Sequence, residues 1–374
     1  MRRKIELEEL DDEELDDESE LDDDELAEAL RELDDERGGH GFLWAAAAVG
    51  AFVAARAALR NRRAISLRAK SVIVTGGSRG LGLVLARELV REGARVAICA
   101  RDEEELERAV EDLDALGGEA IALECDVTDR VQVEAMVRAV RHRFGGVDVL
   151  INNAGVIQVG PAERMGLEDY EEAMLTHFWA PLYTTMAVLP LMRARGAGRI
   201  VNISSIGGKI GLPHLLPYSA SKFALVGLSE GLRATLAKER IVVTTVCPGL
   251  MRTGSPGHVA VKGDHAAEYA WFKTADSLPG FSASAERAAR RIVDALRHGD
   301  AELVMPGLAW LQVKLHALFP ELSADIAAAL ERALPAAPAG DEGYTRRSSA
   351  ESESEWSESA VTGLTDQAAA ENNE

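Results

Sequence analysis

Cysteine is scarce in this chain of 374 residues, and Cys99, Cys125 and Cys247 stand too far apart in sequence to form a CxxC pair. A disulfide framework and a cysteine-built metal centre are therefore not expected, and because each cysteine lies in an apolar run, buried thiols in a reducing compartment are. The eight histidines lack the paired spacing of zinc ligands, so no metal is expected. Aromatic residues make up only 5% of the chain, which leaves alanine, valine and leucine to fill the core implied by a hydrophobic fraction of 47%. Base is also in deficit, with 41 Lys+Arg against 62 Asp+Glu and a net charge of −21, so no basic face for nucleic acid is expected.

The acidity belongs to the two ends. Residues 1–36 hold 20 acids and 4 bases, residues 341–374 hold 9 acids and 2 bases, and the stretch between them is nearly neutral. Like-charge repulsion there outweighs what a few leucines can collapse, so residues 1–40 and the Ser/Glu-rich residues 336–374 are expected to be disordered. Leu26, Leu30 and Leu33 follow helical spacing, leaving open a short helix against a partner.

The most apolar stretch, GFLWAAAAVGAFVAARAAL at 41–59, precedes a basic cluster at Arg60, Arg62, Arg63, Arg68 and Lys70. Up to Arg56 it provides about 15 apolar residues, short of the roughly 20 that a spanning helix needs. Residues 41–63 thus read either as a candidate membrane segment, with the body on the cytoplasmic side by the positive-inside rule, or as an Ala-rich helix at a membrane surface or on the domain. The acidic flank before the run argues against a signal peptide.

From residue 66 to 306 the pattern is regular. Runs such as SVIVTG (71–76), ARVAICA (94–100), EAIALECD (119–126), VDVLINN (147–153), GRIVNISS (198–205) and IVVTTVCP (241–248) read as buried strands, with a last short one at 302–305. Helical stretches near 81–92, 103–116, 130–143, 167–194 and 217–237 separate them. This alternation predicts an α/β fold with a Rossmann-like, doubly wound parallel sheet. Residues 307–335 read as two C-terminal helices around Pro320.

The first strand runs into Thr75-Gly76-Gly77-Ser78-Arg79-Gly80-Leu81-Gly82 and then a helix, the setting in which a glycine loop presents helix N–H groups to a pyrophosphate. At the end of the second strand stands Arg101, not an acid. Arg101 and Arg79 together favour a ribose 2′-phosphate, hence NADP(H), while Asp102 reads as a helix N-cap. Tyr218 and Lys222 lie four apart on one helix face, and Ser205 ends a strand 13 residues upstream of Tyr218. A phenol of ordinary pKa near 10 needs a neighbouring ammonium to act at neutral pH.

Together with Asp126-Val127, Asn152-Asn153-Ala154-Gly155 and Pro248-Gly249 followed by Thr253, these motifs resemble the short-chain dehydrogenase/reductase family over residues 68–305. The resemblance implies Tyr218 as acid/base, Lys222 as the group that lowers its pKa and holds the nicotinamide ribose, and Ser205 as donor to the substrate oxygen. It also implies a cofactor site formed by Thr75, Gly76, Ser78, Arg79, Gly80, Leu81, Gly82, Arg101, Asp126, Val127, Asn153, Ala154, Gly155, Tyr218, Lys222, Pro248, Gly249 and Thr253. His177 stands where the family usually has an asparagine that serves the proton relay. It is either a relay member of altered pH dependence or a packed helix residue.

After Pro248 a long stretch containing Tyr269, Trp271 and Phe272 corresponds to the family's substrate lid, which suits a lipophilic carbonyl or alcohol such as a keto lipid, sterol or retinoid. The expectation is an NADP(H)-dependent oxidoreductase interconverting a carbonyl and a secondary alcohol, homo-oligomeric as family members commonly are. The alternatives are a low-turnover NADP-binding sensor or scaffold with a modified relay at His177, and an interaction protein that works through its acidic tails.

Overall fold

The computed structural model describes residues 41–277, 282–338, 340, 342–354, 357 and 362–373. The acidic stretch 1–40, with its candidate helix, lies outside the described residues, as does part of the Ser/Glu-rich run.

Seven strands form the central sheet: β1 (Ser71–Thr75), β2 (Arg95–Ala100), β3 (Glu119–Glu124), β4 (Val149–Asn152), β5 (Gly198–Ile203), β6 (Ile241–Pro248) and β7 (Glu302–Met305). Their order is β3-β2-β1-β4-β5-β6-β7, and every pair is parallel. Because helices cover both faces, β1, β4 and β5 are buried along their whole length, which is why their sequences are almost continuously apolar. The edge strand β3 is only partly covered. The alternation of side chains along a strand sends Val72 and Val74 into one core and Ile73 into another. The first core is closed by helices Gly80–Arg91, Glu103–Ala115 and Ala285–His298, the second by Arg130–Phe144, Ala180–Arg195 and Leu216–Leu236. All three cysteines are free and buried, as their apolar settings predict.

The order of strands reverses between β1 and β4, since β1 continues to β2 on one side and β4 to β5 on the other. This opens a crevice at the carboxyl ends of those strands, the usual ligand position in open α/β sheets. A lid stands over it, formed by strand Ala260–Val261, which pairs with Gln158–Val159, and helix His265–Ser277.

Two expectations change. The 22-residue helix Gly41–Arg62 forms, but among the described residues no helix is long and apolar enough to cross a membrane. Alanine supplies too little hydropathy and Arg56 interrupts the run. The Ser/Glu-rich end, expected to be disordered, contains described segments laid against the domain. Arg347–Ser348 pairs antiparallel with Ala260–Val261, and helix Gly363–Glu371 packs on the lid helix. The repulsion that predicted disorder is offset locally: Asp366 pairs with Lys273 at 2.7 Å, and Arg346 from the same tail reaches Glu172 at 2.6 Å.

Candidate active site

The glycine loop follows β1 and is locked to the end of β4. Thr75 Oγ1 accepts the backbone N–H of Asn153 at 3.0 Å and of Ala154 at 3.1 Å, and Asn153 Nδ2 donates to the carbonyls of Thr75 (3.1 Å) and Gly76 (3.0 Å). Gly76 has φ +61°, and a Cβ there would lie 2.9 Å from the Ala154 Cα. At Gly82 a Cβ would meet the Gly76 carbonyl oxygen, so only glycine allows the helix start to fold back onto the loop. Thr75 and Gly82 thus shape the loop from behind and do not line the crevice. The remaining residues expected at the cofactor, from Gly76 to Thr253, all line one cavity of about 700 Å³, together with Ser205 and His177.

The crevice rim holds a carboxylate that sequence reasoning missed. Glu105 accepts from Ser78 Oγ at 2.8 Å and from Arg79 Nη1 at 2.8 Å, while Asp102 caps its helix as expected by accepting the Glu105 N–H at 2.9 Å. Arg101 is exposed at the same rim. The tail also reaches this corner: the Gly80 N–H donates to the Asn372 carbonyl at 2.9 Å, and Asn373 Nδ2 donates to the carbonyls of Ser78 (2.8 Å) and Glu105 (3.1 Å). No sequence signal marks these tail contacts, because single asparagines near a terminus carry none.

At the other end, Ser205, Tyr218 and Lys222 come together. Ser205 lies two residues beyond the end of β5, where it caps the short turn Ile206–Gly208 by accepting the Gly207 N–H at 3.0 Å, which leaves its own proton free to donate. Its hydrogen bond to the Tyr218 phenol opposes burial, which still pushes the phenol up to about 12. Gly208 permits the close approach of the helix that carries Lys222, since a Cβ there would sit 2.7 Å from the Lys222 carbonyl oxygen. Lys222 Nζ donates to the Ile203 carbonyl at 3.0 Å and lies 5.6 Å from the centre of the Tyr218 ring. Burial brings its ammonium down to about 7. A protonated phenol beside a hydroxyl donor is an arrangement that can deliver a proton to a carbonyl oxygen.

His177 sits on a π-helical turn, Leu175–Trp179, within the long helical stretch after β4. Its Nε2 accepts the Val156 N–H at 3.1 Å, so Nδ1 carries the proton and donates to Ser221 Oγ at 2.7 Å. Ser221 in turn donates to the Tyr218 carbonyl at 2.8 Å. Burial and the Lys222 charge hold the imidazole well below its ordinary pKa, so it is a neutral bridge between the β4 loop and the Tyr218 helix. Over the substrate end, the lid is tied down by buried Glu268, which accepts from His214 Nδ1 at 2.8 Å and from Trp271 Nε1 at 2.7 Å. Tyr269, Trp271 and Phe272 therefore pack the lid, and of the three only Phe272 lines the cavity.

Residues 70–260 match the family model described as short chain dehydrogenase. A Streptomyces coelicolor protein provisionally named a ketoacyl reductase is 44% identical over 183 residues, covering 48% of this chain and 70% of its own. A ketoacyl reductase of a Nostoc species is 34% identical over 241 residues, covering 64% of this chain and 79% of its own. Among solved structures, one from Sinorhizobium meliloti 1021, provisionally described as a short-chain alcohol dehydrogenase, superposes with a TM-score of 0.59 at 26% identity, covering 66% of this chain and 98% of that one.

Proposed function

The chain belongs to the short-chain dehydrogenase family, and on that premise we propose that it is an NADP(H)-dependent oxidoreductase that interconverts a carbonyl and a secondary alcohol on a lipophilic substrate. It is an oxidoreductase of a family that binds nicotinamide dinucleotides. The observation that carries the finer reading is the convergence of Ser205, Tyr218 and Lys222 at one end of a cavity whose other end is the glycine loop.

The residues present fit a dinucleotide: the glycine cradle has no room for side chains at Gly76 and Gly82, and the cavity runs from there to Tyr218. Gly76, Ser78, Gly80, Leu81, Asp126, Val127, Asn153, Ala154, Gly155, Pro248, Gly249 and Thr253 would hold the cofactor, which supplies the hydride when bound. Tyr218 gives its phenolic proton to the carbonyl oxygen in reduction and takes it back in oxidation. Ser205 donates a hydrogen bond to that oxygen as charge develops on it. Lys222 stabilises the phenolate left behind.

Arg79 and Arg101 support NADP(H), whereas Glu105, bonded to both Ser78 and Arg79, favours NAD(H) and must release them for a 2′-phosphate to enter. A keto lipid is supported by the ketoacyl reductases among the relatives and by the apolar lid residue Phe272. Association of the helix Gly41–Arg62 with a membrane surface, with the catalytic domain on the cytoplasmic side, is supported by the exposed Trp44, Phe52 and Val53. Exposed Trp179, Met186 and Phe223, on the helical stretches before and after β5, support a homo-oligomer. The testing experiment follows NADPH and NADH oxidation with a panel of long-chain keto esters, sterol ketones and short ketones. Oxidation of NADPH with the long-chain or sterol substrates is expected; consumption of neither cofactor with any of them contradicts the proposal.

A further inference from the structure

A second cavity, of about 370 Å³, lies between the two-residue strand Met251–Arg252, the start of helix Ala285–His298 and the end of β7. Alternation along that strand sends Met251 into the catalytic cavity and Arg252 into this one, so the strand is a wall shared by both. Arg287 and Arg291, one helical turn apart, complete a rim of three guanidinium groups.

The charge there is only partly offset, by the Asp276 carboxyl acting on Arg252 from the lid helix. Arg252 donates to the carbonyl and the hydroxyl of Ser282, but among the described residues Arg287 and Arg291 have no side-chain hydrogen bond or ion pair and no acid lines the cavity. Elsewhere on the same domain, exposed arginines do find carboxylates, as Arg193 finds Glu239 and Arg346 finds Glu172. Three like charges around one hollow repel each other unless an anion joins them. The floor is different in kind: Ala288, Met305, Pro306 and Leu364 present carbon. The volume falls within the range of small-molecule sites.

We infer that this cavity binds a phosphate monoester, with the dianionic head between Arg252, Arg287 and Arg291 and the carbon side against Met305, Pro306 and Leu364. The planar guanidinium fork matches phosphate oxygens, and a dianion offset by three cations suits the count of charges better than a carboxylate. Occupancy would add to the pairing of the Met251–Arg252 strand with Ala283–Ser284, at the start of helix Ala285–His298, and so brace the wall that leads directly to Thr253. The inference stands apart from the redox chemistry, because none of its residues touches Ser205, Tyr218 or Lys222.

The test is calorimetric titration of the full chain with hexyl phosphate, inorganic phosphate and hexanoate at constant ionic strength. It is run on the wild type, on the Arg287→Ala/Arg291→Ala double variant, and on Arg101→Ala as a control for anion binding at the nucleotide rim. Hexyl phosphate should bind more tightly than inorganic phosphate, lose tenfold or more in the double variant, and keep its affinity in Arg101→Ala. Both arginines are exposed, and an unchanged melting temperature verifies that the double variant folds. Affinity lost in Arg101→Ala but kept in the double variant overturns the inference, as does equal binding of hexanoate, or no binding by any of the three probes.

Discussion

Glu105 holds Arg79 by an ion pair of 2.8 Å and, with its other carboxylate oxygen, accepts from Ser78 at 2.8 Å. Two groups suited to a ribose 2′-phosphate are thus engaged by an acid from the next helix. Glu105→Gln should remove this ion pair and strengthen NADPH binding several-fold while leaving NADH nearly unchanged, read by fluorescence titration of each. Arg101→Ala should weaken NADPH more than NADH. Equal effects on the two cofactors would show that this corner does not meet a 2′-phosphate.

Lys222 is expected to set the alkaline side of the reaction. Burial brings its ammonium down to about 7, so the charge beside Tyr218 is present below that pH and lost above it. The kcat/KM for carbonyl reduction should fall as pH rises through about 7, and Lys222→Arg, whose guanidinium stays protonated, should remove that limb whatever its effect on the maximum rate. A limb at the same pH in both proteins assigns it elsewhere.

For His177 the prediction is the absence of a titration. Its ring is held well below its ordinary pKa with both nitrogens committed, so it stays neutral across the working range. His177→Asn should lower thermal stability by loosening the link from Val156 to Ser221, yet leave the shape of the pH–rate profile unchanged. A profile limb that disappears in this variant would make His177 a titrating relay member.

Asp276 gives the fold a pH dependence of defined sign. Burial raises its carboxyl to about 7, against roughly 4 in the unfolded chain, so folding takes up a proton between those values. Its contribution to stability is fully present below pH ~4, declines as pH rises through about 7, and is level above that. Asp276→Asn should therefore gain on the wild type by roughly 2 kcal/mol between pH 5 and pH 7, from denaturant melts at each pH. A constant difference would mean that the carboxyl is already ionised in the folded protein.

Much of this architecture was legible in the sequence because parallel strands buried on both faces leave unmistakable β-branched runs, and β1 to β7 all form where those runs lie. The glycine loop, Ser205, Tyr218 and Lys222 were legible because close packing and acid–base chemistry restrict both residue type and spacing. What was not legible depends on long-range partners. Glu105 reads as an ordinary first-turn acid until the fold brings Ser78 and Arg79 to it. The acidic tail reads as self-repelling until Lys273 and Glu172 on the body supply partners for Asp366 and Arg346. His177 announced a departure from the family pattern, but its protonation state followed only from the Val156 N–H and Ser221 hydroxyl.

Every role proposed for the site depends on proton transfer by the Tyr218 phenol. That transfer is tested most directly by single-turnover reduction of a long-chain keto ester by the Tyr218→Phe variant preloaded with NADPH, with cofactor affinity measured in parallel. The chemical step should slow by roughly 10³-fold or more, with NADPH affinity within a few-fold of the wild type. A variant that binds NADPH normally and reduces the substrate at near the wild-type rate would contradict it.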